Sequence, residues 1–600
     1  MPACHAGDRR FESGRVRHRR FFLRPVRPPG RGVPFFKTPE QVWQNPPVTT
    51  RPILKTLGVL AVALMVTILA IAAPLQFGGA GGSEPSAITG PSASLAAAAA
   101  TAAGSGSPAQ PGETAAAPTA SAAASPSTQG VNVAVVPVTN FRATATSTSR
   151  VEVAAVLAGT SNRYDALELV AGEADAILAS LGLPRPAGPD HLIEARDATT
   201  LGADLARNRK RLAILRADAV TPAVRALAWG DETLFGVGRV RTLADWPLLA
   251  ALPSTMSADP GFDPSSTWTL FAGGDILLDR GVYQTVELRG KGVDFPFDGG
   301  SAEITGRYCC SSFGWELPRT LRTDDAGAVR KLIEGADLAI ANFENPAPDQ
   351  PRYHTSGTVF SADPALITGL ADAGIDYVSL ANNHIRDAGG SGLLQTIANL
   401  TKAGIASSGS GRNLAAARRP GLFTVRGTKV AILAYDAIAA GYHATTTRIG
   451  SAPLVASYVR ADVRAARAAG ADLVIVFPHW GTEYQSKPFP AQQKLARMII
   501  DAGADMVIGN HAHWAAAMEV YKGKPIWYAL GNFVFDQTWS EPTMEGITLE
   551  LTFRGATLAQ VRIRPHIILD KAQPNFLDPA ADGKVVMGQV YSASRGLLPW

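Results

Sequence analysis

GIDYVSLANNHIRDAG, residues 374–389, runs from a short apolar segment straight into two amides and an imidazole. DAGADMVIGNHAHW, residues 501–514, does the same thing: an apolar run ends in Asn510, His511 and His513. A run of four to eight apolar residues bounded by Gly reads as a strand buried on both faces. The polar residues therefore stand just beyond strand ends, where α/β sheets hold their ligands.

Working outward, the same pattern recurs from Trp268 onward. The strand-like runs are WTLFAGG, DLAIANF, DYVSLAN, KVAILAY, DLVIVFP, DMVIG and PIWYALG. PALITGLADAG, GLLQTIANLTKAG, SYVRADVRAARAAG and PAQQKLARMIIDAG lie between several of them, and each reads as a helix stopped by Gly. ITLELTFRG and ATLAQVRIRP alternate like an antiparallel hairpin. The expected fold is α/β, with two packed sheets flanked by helices over residues 266–570 and a C-terminal tail at 571–600.

Asp275, Glu344, Asn382, Asn383 and His384, then His479, Trp480 and Glu483, then His511 and His513, and finally Asn532 and Asp536 all follow such strands. Singly, each has a plain structural use: Asp275 in a turn, Glu344 at a helix cap, Asn383 in a left-handed bend, His384 bonded in the core. Together, imidazoles and carboxylates at strand ends suit one or two divalent ions such as Zn²⁺, Mn²⁺ or Fe²⁺. The sequence leaves the choice of ion open.

The rest of the 600-residue chain is organised differently. Residues 1–56 form an Arg-rich arm expected to be disordered. The net charge of +5 comes from this arm, which argues for a topology signal and against nucleic-acid binding. LGVLAVALMVTILAIAAPL, residues 57–75, is long and apolar enough to span a bilayer. With Arg51 and Lys55 before it, the N-terminus is expected in the cytoplasm and the remainder outside. A cleaved signal peptide, with Ala72-Ala73 at the cut, is the competing reading. Residues 76–130, rich in Ala, Gly, Ser and Pro, read as a flexible tether. Residues 131–256 read as a small α/β domain, with NVAVVPV and RLAILRADAV as strands. Ser149 caps a helix over 151–157, and ALELVAGEADAILASLGL is helical. SRVEVAAVLAGTSNRYDAL is similar to a pattern in periplasmic phosphate- and sulfate-binding proteins. Cys4, Cys309 and Cys310 form no disulfide framework and no zinc-site spacing; the neighbouring pair is either a vicinal disulfide or two free thiols.

The motifs GGDILLDRGV, DFPFDG, ADLAIANFENP, GIDYVSLANNHIRDAG, FPHWGTEYQSKP, DAGADMVIGNHAHW and YALGNFVFDQ resemble the CapA family of poly-γ-glutamate capsule proteins. That family's domain is similar to the calcineurin-like metallophosphoesterases, an αββα double-sheet sandwich with a two-metal centre. The resemblance implies metal ligands at Asp275, Glu344, Asn383, His479, His511 and His513. It implies His384 as proton donor or oxyanion stabiliser beside Asn383. Leu277 stands where those enzymes carry a histidine ligand, so one of the two positions is a ligand short. Asn382, Trp480, Glu483, Asn532 and Asp536 are expected to support the ligands or the pocket, with Trp514 beside Trp480 in its walls. Arg386 and Lys487 are candidates for holding negative charge. The expected function is a membrane-anchored, extracytoplasmic protein of capsule polymer synthesis or export beside a membrane synthase. It would be a metal-dependent hydrolase of a phosphoester or an anionic polymer. The alternatives are a non-catalytic polymer-binding or scaffold protein with a structural metal, and a sensor whose middle domain binds an anion such as phosphate.

Overall fold

The computed structural model describes residues 130–597 except 189 and 254–260. The basic arm (1–56), the apolar span (57–75) and nearly all of the tether (76–130) lie outside the described residues. No helix among the described residues is long and apolar enough to cross a membrane.

The small domain is a six-stranded sheet with helices packed on it. Its strands are β1 (Gly130–Asn140), β2 (Ala166–Val170), β3 (Leu192–Ala195), β4 (Arg211–Arg216), β5 (Val224–Ala226) and β6 (Leu249–Pro253). They run in the order β3-β2-β4-β1-β5, with β6 also on β1. Helix α1 (Arg150–Leu157) starts at Ser149, whose Oγ accepts the Glu152 N–H at 3.4 Å. Residues 166–183 do not form one helix. Ala166–Val170 is a strand lying parallel to both β3 and β4, and only Ala174–Ser180 is helical (α2). A strand apolar on both faces cannot be told from a buried helix by its period, and the turn at 171–173 separates the two. Helix α3 (Ala198–Arg207) follows β3, capped by the Asp197 carboxylate.

The larger domain has two sheets. The ten-stranded sheet contains β7 (Thr267–Ile276), β8 (Ser301–Tyr308), β9 (Leu317–Arg322), β10 (Leu338–Phe343), β11 (Tyr377–Ser379) and β12 (Ala406–Ser408). The six-stranded sheet contains β13 (Gly421–Val425), β14 (Thr428–Asp436), β15 (Leu473–His479), β16 (Met506–Ile508), β17 (Met518–Tyr521) and β18 (Lys524–Trp527). β19 (Asn532–Val534), β20 (Glu545–Arg554), β21 (Thr557–Leu569) and β22 (Gln573–Leu577) return to the first sheet. β20 and β21 form the expected antiparallel hairpin. Leu270, Ile340 and Leu549 from one sheet share a core with Ile432, Ile475 and Ile508 from the other.

The outer face of the first sheet is covered by α4 (Ala328–Glu334), α5 (Ile367–Asp372) and α6 (Gly389–Lys402). The outer face of the second is covered by α7 (Ala456–Ala468) and α8 (Pro490–Asp501). The layering is helix, sheet, sheet, helix. The domain does not stop at 570. β22 pairs with β21 and β8, and α9 (Gly583–Ala593) buries Val586, Met587 and Val590, so these residues complete the sandwich instead of trailing from it. Cys309 and Cys310 are joined to each other in the exposed turn between β8 and β9.

β7, β10 and β11 run parallel in one sheet, and β14, β15 and β16 run parallel in the other. Their C-terminal ends carry Asp275, Glu344, the residues from Asn382 to His384, His479, and the Asn510–His513 turn. Packing of the two sheets brings together residues that lie more than two hundred positions apart, as the bond from the His511 backbone N–H to the Asp275 carboxylate shows.

Candidate metal centre

Glu344 stands at the middle of the cluster. It is fully buried, and neither carboxylate oxygen has a hydrogen-bond partner. Two groups of donors share it: Glu344 with His479 and His511, and Asp275 with Glu344 and His513, each with donor atoms within 4.8 Å of one another. In the first group, His479 Nε2 lies 3.1 Å from His511 Nδ1, 3.5 Å from Glu344 Oε1 and 2.8 Å from Asn383 Oδ1. Ligands about 2.1 Å from a tetrahedral ion sit roughly 3.4 Å apart, so this spacing suits one cation. In the second group, His513 Nδ1 is 3.5 Å from Asp275 Oδ2, and His513 Nε2 is 3.7 Å from Glu344 Oε1.

The supporting bonds decide which ring atoms are free. His513 Nδ1 faces Asn532 Oδ1 at 2.8 Å. The Asn532 amide is itself fixed, because its Nδ2 donates to Thr543 O at 2.9 Å. An oxygen acceptor at Nδ1 places the ring proton there and leaves Nε2 as the donor to a metal. Asn382 ties strand ends together, donating to Phe343 O at 2.8 Å and accepting the His384 N–H at 3.2 Å. Local backbone is strained around the cluster, with positive φ at Arg280 (52°), Tyr484 (60°), His511 (92°) and His513 (56°). β7 and the 531 turn also approach so closely that a Cβ at Gly274 would lie 1.9 Å from Gly531 O.

Burial drives every charge in the cluster toward its neutral form. It pushes Glu344 up to about 8 and raises Asp275 well above the carboxylate range, the latter helped by the Glu344 charge. It lowers His479, lowers His511 well below the imidazole range, and takes His513 down to about 3. Neutral imidazoles are the metal-binding form, and a cation supplies the charge that buried carboxylates otherwise lack. A buried carboxylate without a hydrogen bond, ringed by neutral imidazoles, is a donor set that fits a divalent ion.

His384 is half-buried beside this cluster. Its Nδ1 lies 2.9 Å from Asp387 Oδ2, and its ring packs on Phe360 at 4.1 Å. Asp387 also accepts the Tyr442 O–H and the Phe360 N–H, both at 2.9 Å, so the carboxylate is held by three donors. His384 Nε2 is left to exchange a proton.

Other expected residues fall elsewhere. Trp480 is not a pocket wall; it is buried in the core of the outer layer, donating to Tyr528 O at 2.9 Å. Trp514 does line an aromatic wall. Tyr484 lies against His513, Trp514 and Trp539, and Trp315 and the exposed Phe313 continue the wall outward. Glu483 is exposed, and its charge raises Glu344. Arg386 is tied to Gly441 O at 3.2 Å and lies over Tyr442, while Lys487 is exposed on a separate shallow cavity. Asp536 touches no ligand; it grips Arg280 and accepts the Gly281 N–H at 2.9 Å.

Three residues belong to the site that the strand-end reading did not single out. Asn342 bridges Asp275 Oδ1 at 2.7 Å and His479 Nδ1 at 3.2 Å. Its signal was a lone amide in the otherwise apolar strand β10, two positions before Glu344 and so on the same face. Asp387 is three residues after His384, in HIRD. Arg280, held by Asp536 and Gly357 O, lies over Phe360 at 4.8 Å, and its charge lowers both Glu344 and His513.

Residues 269–537 match the family model described as Bacterial capsule synthesis protein PGA_cap. The chain is 32% identical over 279 residues to "Capsule biosynthesis protein CapA" of Bacillus anthracis, covering 45% of this chain and 67% of that one. It is 30% identical over 334 residues to a "Probable polyglutamine synthesis accessory protein" of Mycobacterium tuberculosis, covering 52% and 82%. The chain belongs to the bacterial capsule synthesis (PGA_cap) family. It is also 33% identical over 216 residues to "PGA biosynthesis protein CapA" of Bacillus subtilis, covering 35% of this chain and 57% of that relative. Among solved structures, the calcineurin-like phosphoesterase YfkN of Bacillus subtilis is similar at 15% identity, covering 55% of this chain and 96% of that one, with a TM-score of 0.29. A score that low carries no argument about chemistry. In this PGA_cap chain, the position after Ile276 is Leu277, buried with Phe360, Phe535 and Ile568, and it offers no ligand.

Proposed function

We propose that this PGA_cap protein is a metal-dependent hydrolase held outside the cell membrane by residues 57–75, acting on a phosphoester or an anionic polymer during polyglutamate capsule synthesis or export, beside a membrane synthase. The observation that carries the catalytic part is Glu344: a fully buried carboxylate with no hydrogen-bond partner at either oxygen, shared between two groups of imidazole and carboxylate donors. The names of the relatives support the polymer, and the sequence of the span and its basic flank supports the anchor.

Bound divalent cations would supply Lewis acidity and positive charge at the reacting group. Glu344, His479, His511 and Asn383 would hold one, and Asp275, Glu344 and His513 the other. His384, oriented by Asp387, would give its Nε2 proton to the leaving oxygen. Arg280, oriented by Asp536, would hold the substrate's negative charge, and the wall from Phe313 to Tyr484 would guide it in. A non-catalytic polymer-binding role with a structural metal is favoured by one observation, the apolar Leu277 at the short position.

The test is metal content of the full-length protein beside a His511→Ala/His513→Ala variant, followed by turnover of a phosphodiester and a γ-glutamyl oligomer with Mn²⁺ or Zn²⁺. One or two ions per chain, lost in the variant, together with turnover of either substrate, supports the proposal. Metal without turnover leaves the binding role. A folded wild type that takes up no metal refutes both.

A further inference from the structure

A second cavity lies where the small domain meets the sandwich, and it shares no residue with the metal centre. It encloses about 300 Å³. Arg142, just after β1, Arg225, on β5, and Arg209, just after α3, enter it from the small domain, and Lys584 enters from α9. Tyr591, Val561 and Met587 supply a ring and an apolar floor. No Asp or Glu lines it, and none of the four cations makes an ion pair with a described carboxylate.

Arg209 and Lys584 are exposed, whereas Arg142 and Arg225 are partly buried. The Arg142 guanidinium sits over the Tyr591 ring at 4.5 Å. Arg225 makes one protein hydrogen bond, from Nε to Ala145 O at 2.8 Å. Burial, and next to it the charge of Arg562, push Arg225 down to about 10. The carboxylate whose charge reaches it, Glu550, is already taken by Arg564 at 2.6 Å and Arg562 at 3.7 Å. Cations gathered without a counter-charge raise each other's energy, and an oxyanion relieves this by accepting their N–H groups.

The walls are also fixed relative to one another. Gln560 on β21 donates to Val224 O at 3.0 Å and accepts the Ala226 N–H, clamping β5 to the sandwich on either side of Arg225. Gly236 N–H adds a bond to Thr552 Oγ1 at 2.8 Å. The cavity is therefore part of the junction, with cations contributed from both sides.

We propose that this junction cavity binds a polyanion, a ligand carrying two or more carboxylate or phosphate groups on an apolar stem. Four cations exceed what one monoanion neutralises, and the ring and floor suit the stem. The ligand would bridge the two domains. This inference does not rest on the hydrolase reading.

The experiment is equilibrium binding of two probes, a short oligo-γ-glutamate and tripolyphosphate, to the full-length protein at low and high salt. The variants are Arg209→Gln/Lys584→Gln, both exposed positions, and Arg225→Met. His511→Ala/His513→Ala is the control for binding at the metal centre. The expected result is salt-sensitive binding of at least one probe. It should weaken by about tenfold or more in Arg209→Gln/Lys584→Gln and persist in the histidine variant. Tighter binding of oligo-γ-glutamate identifies a carboxylate polymer as the source, and tighter binding of tripolyphosphate a phosphate compound. Arg225→Met should weaken binding further if it folds, and the exposed pair decides the matter if it does not. Failure of the wild type to bind either probe overturns the proposal. So does undiminished binding in Arg209→Gln/Lys584→Gln, or loss of binding only in the histidine variant.

Discussion

Glu344→Gln keeps the shape of the side chain and removes its charge, which separates a cation site from an acid that is merely buried. In the metal-free protein, burial holds the Glu344 proton up to about pH 8, whereas an unfolded chain releases it near about 4.3. Between those values the folded state binds more protons than the unfolded state, so stability falls as pH rises. A lift from 4.5 to about 8, at about 1.4 kcal/mol per unit, bounds the loss at roughly 4–5 kcal/mol. Metal-stripped Glu344→Gln should therefore match wild type near pH 4 and exceed it by up to that amount near pH 8.5. Urea denaturation followed by tryptophan fluorescence reads the difference. Saturating Mn²⁺ should narrow the gap. At a hundred times Kd it stabilises the wild type by about 2.7 kcal/mol and the variant, which lacks the shared carboxylate, by much less. A stability difference independent of pH would refute the reasoning, and so would equal stabilisation of both proteins by Mn²⁺.

Two further substitutions test how the ligands are held. Asp387→Asn lets an amide N–H face His384 Nδ1, which moves the ring proton to Nε2 and spoils proton exchange there. Turnover of the metal-loaded protein should fall about a hundredfold or more with metal content unchanged, and loss of metal instead would show that Asp387 shapes the centre itself. Asn532→Ala removes the acceptor at His513 Nδ1. Metal affinity, measured by competition with a chelator, should weaken by about ten- to a hundredfold, and Asn532→Asp, which keeps an oxygen acceptor, should restore most of it.

Much of the fold was legible because strand ends and chemistry coincide in this chain. The apolar runs ending in Asp275, Glu344, His479 and His511 are strands in the structure, and parallel pairing collects their ends. The misreadings have a common cause. Ala166–Val170 and Gln573–Leu577 are short, without a distinctive period, and each is settled by its pairing: with β3 and β4 for the first, and with β21 and with β8, more than 260 residues away, for the second. A strand of five residues carries too little local preference to announce itself.

The parts of the site that were missed are those whose roles depend on which hydrogen bond a side chain makes. Asn342 and Asn382 are both buried amides at strand ends, yet Asn342 spans Asp275 and His479 while Asn382 ties backbone. Residue type cannot distinguish them, because an amide offers the same donors and acceptor in both places. Arg280 and Arg386 pose the same problem with charge. Each follows an apolar strand by a few residues, but Asp536, delivered by the turn after β19, draws Arg280 toward Glu344, and a carbonyl at Gly441 holds Arg386 aside. Sequence places a charge near a strand end to within a turn of chain. Which way its guanidinium points is set by the partner that tertiary packing brings, and for Arg280 that partner lies 256 residues away.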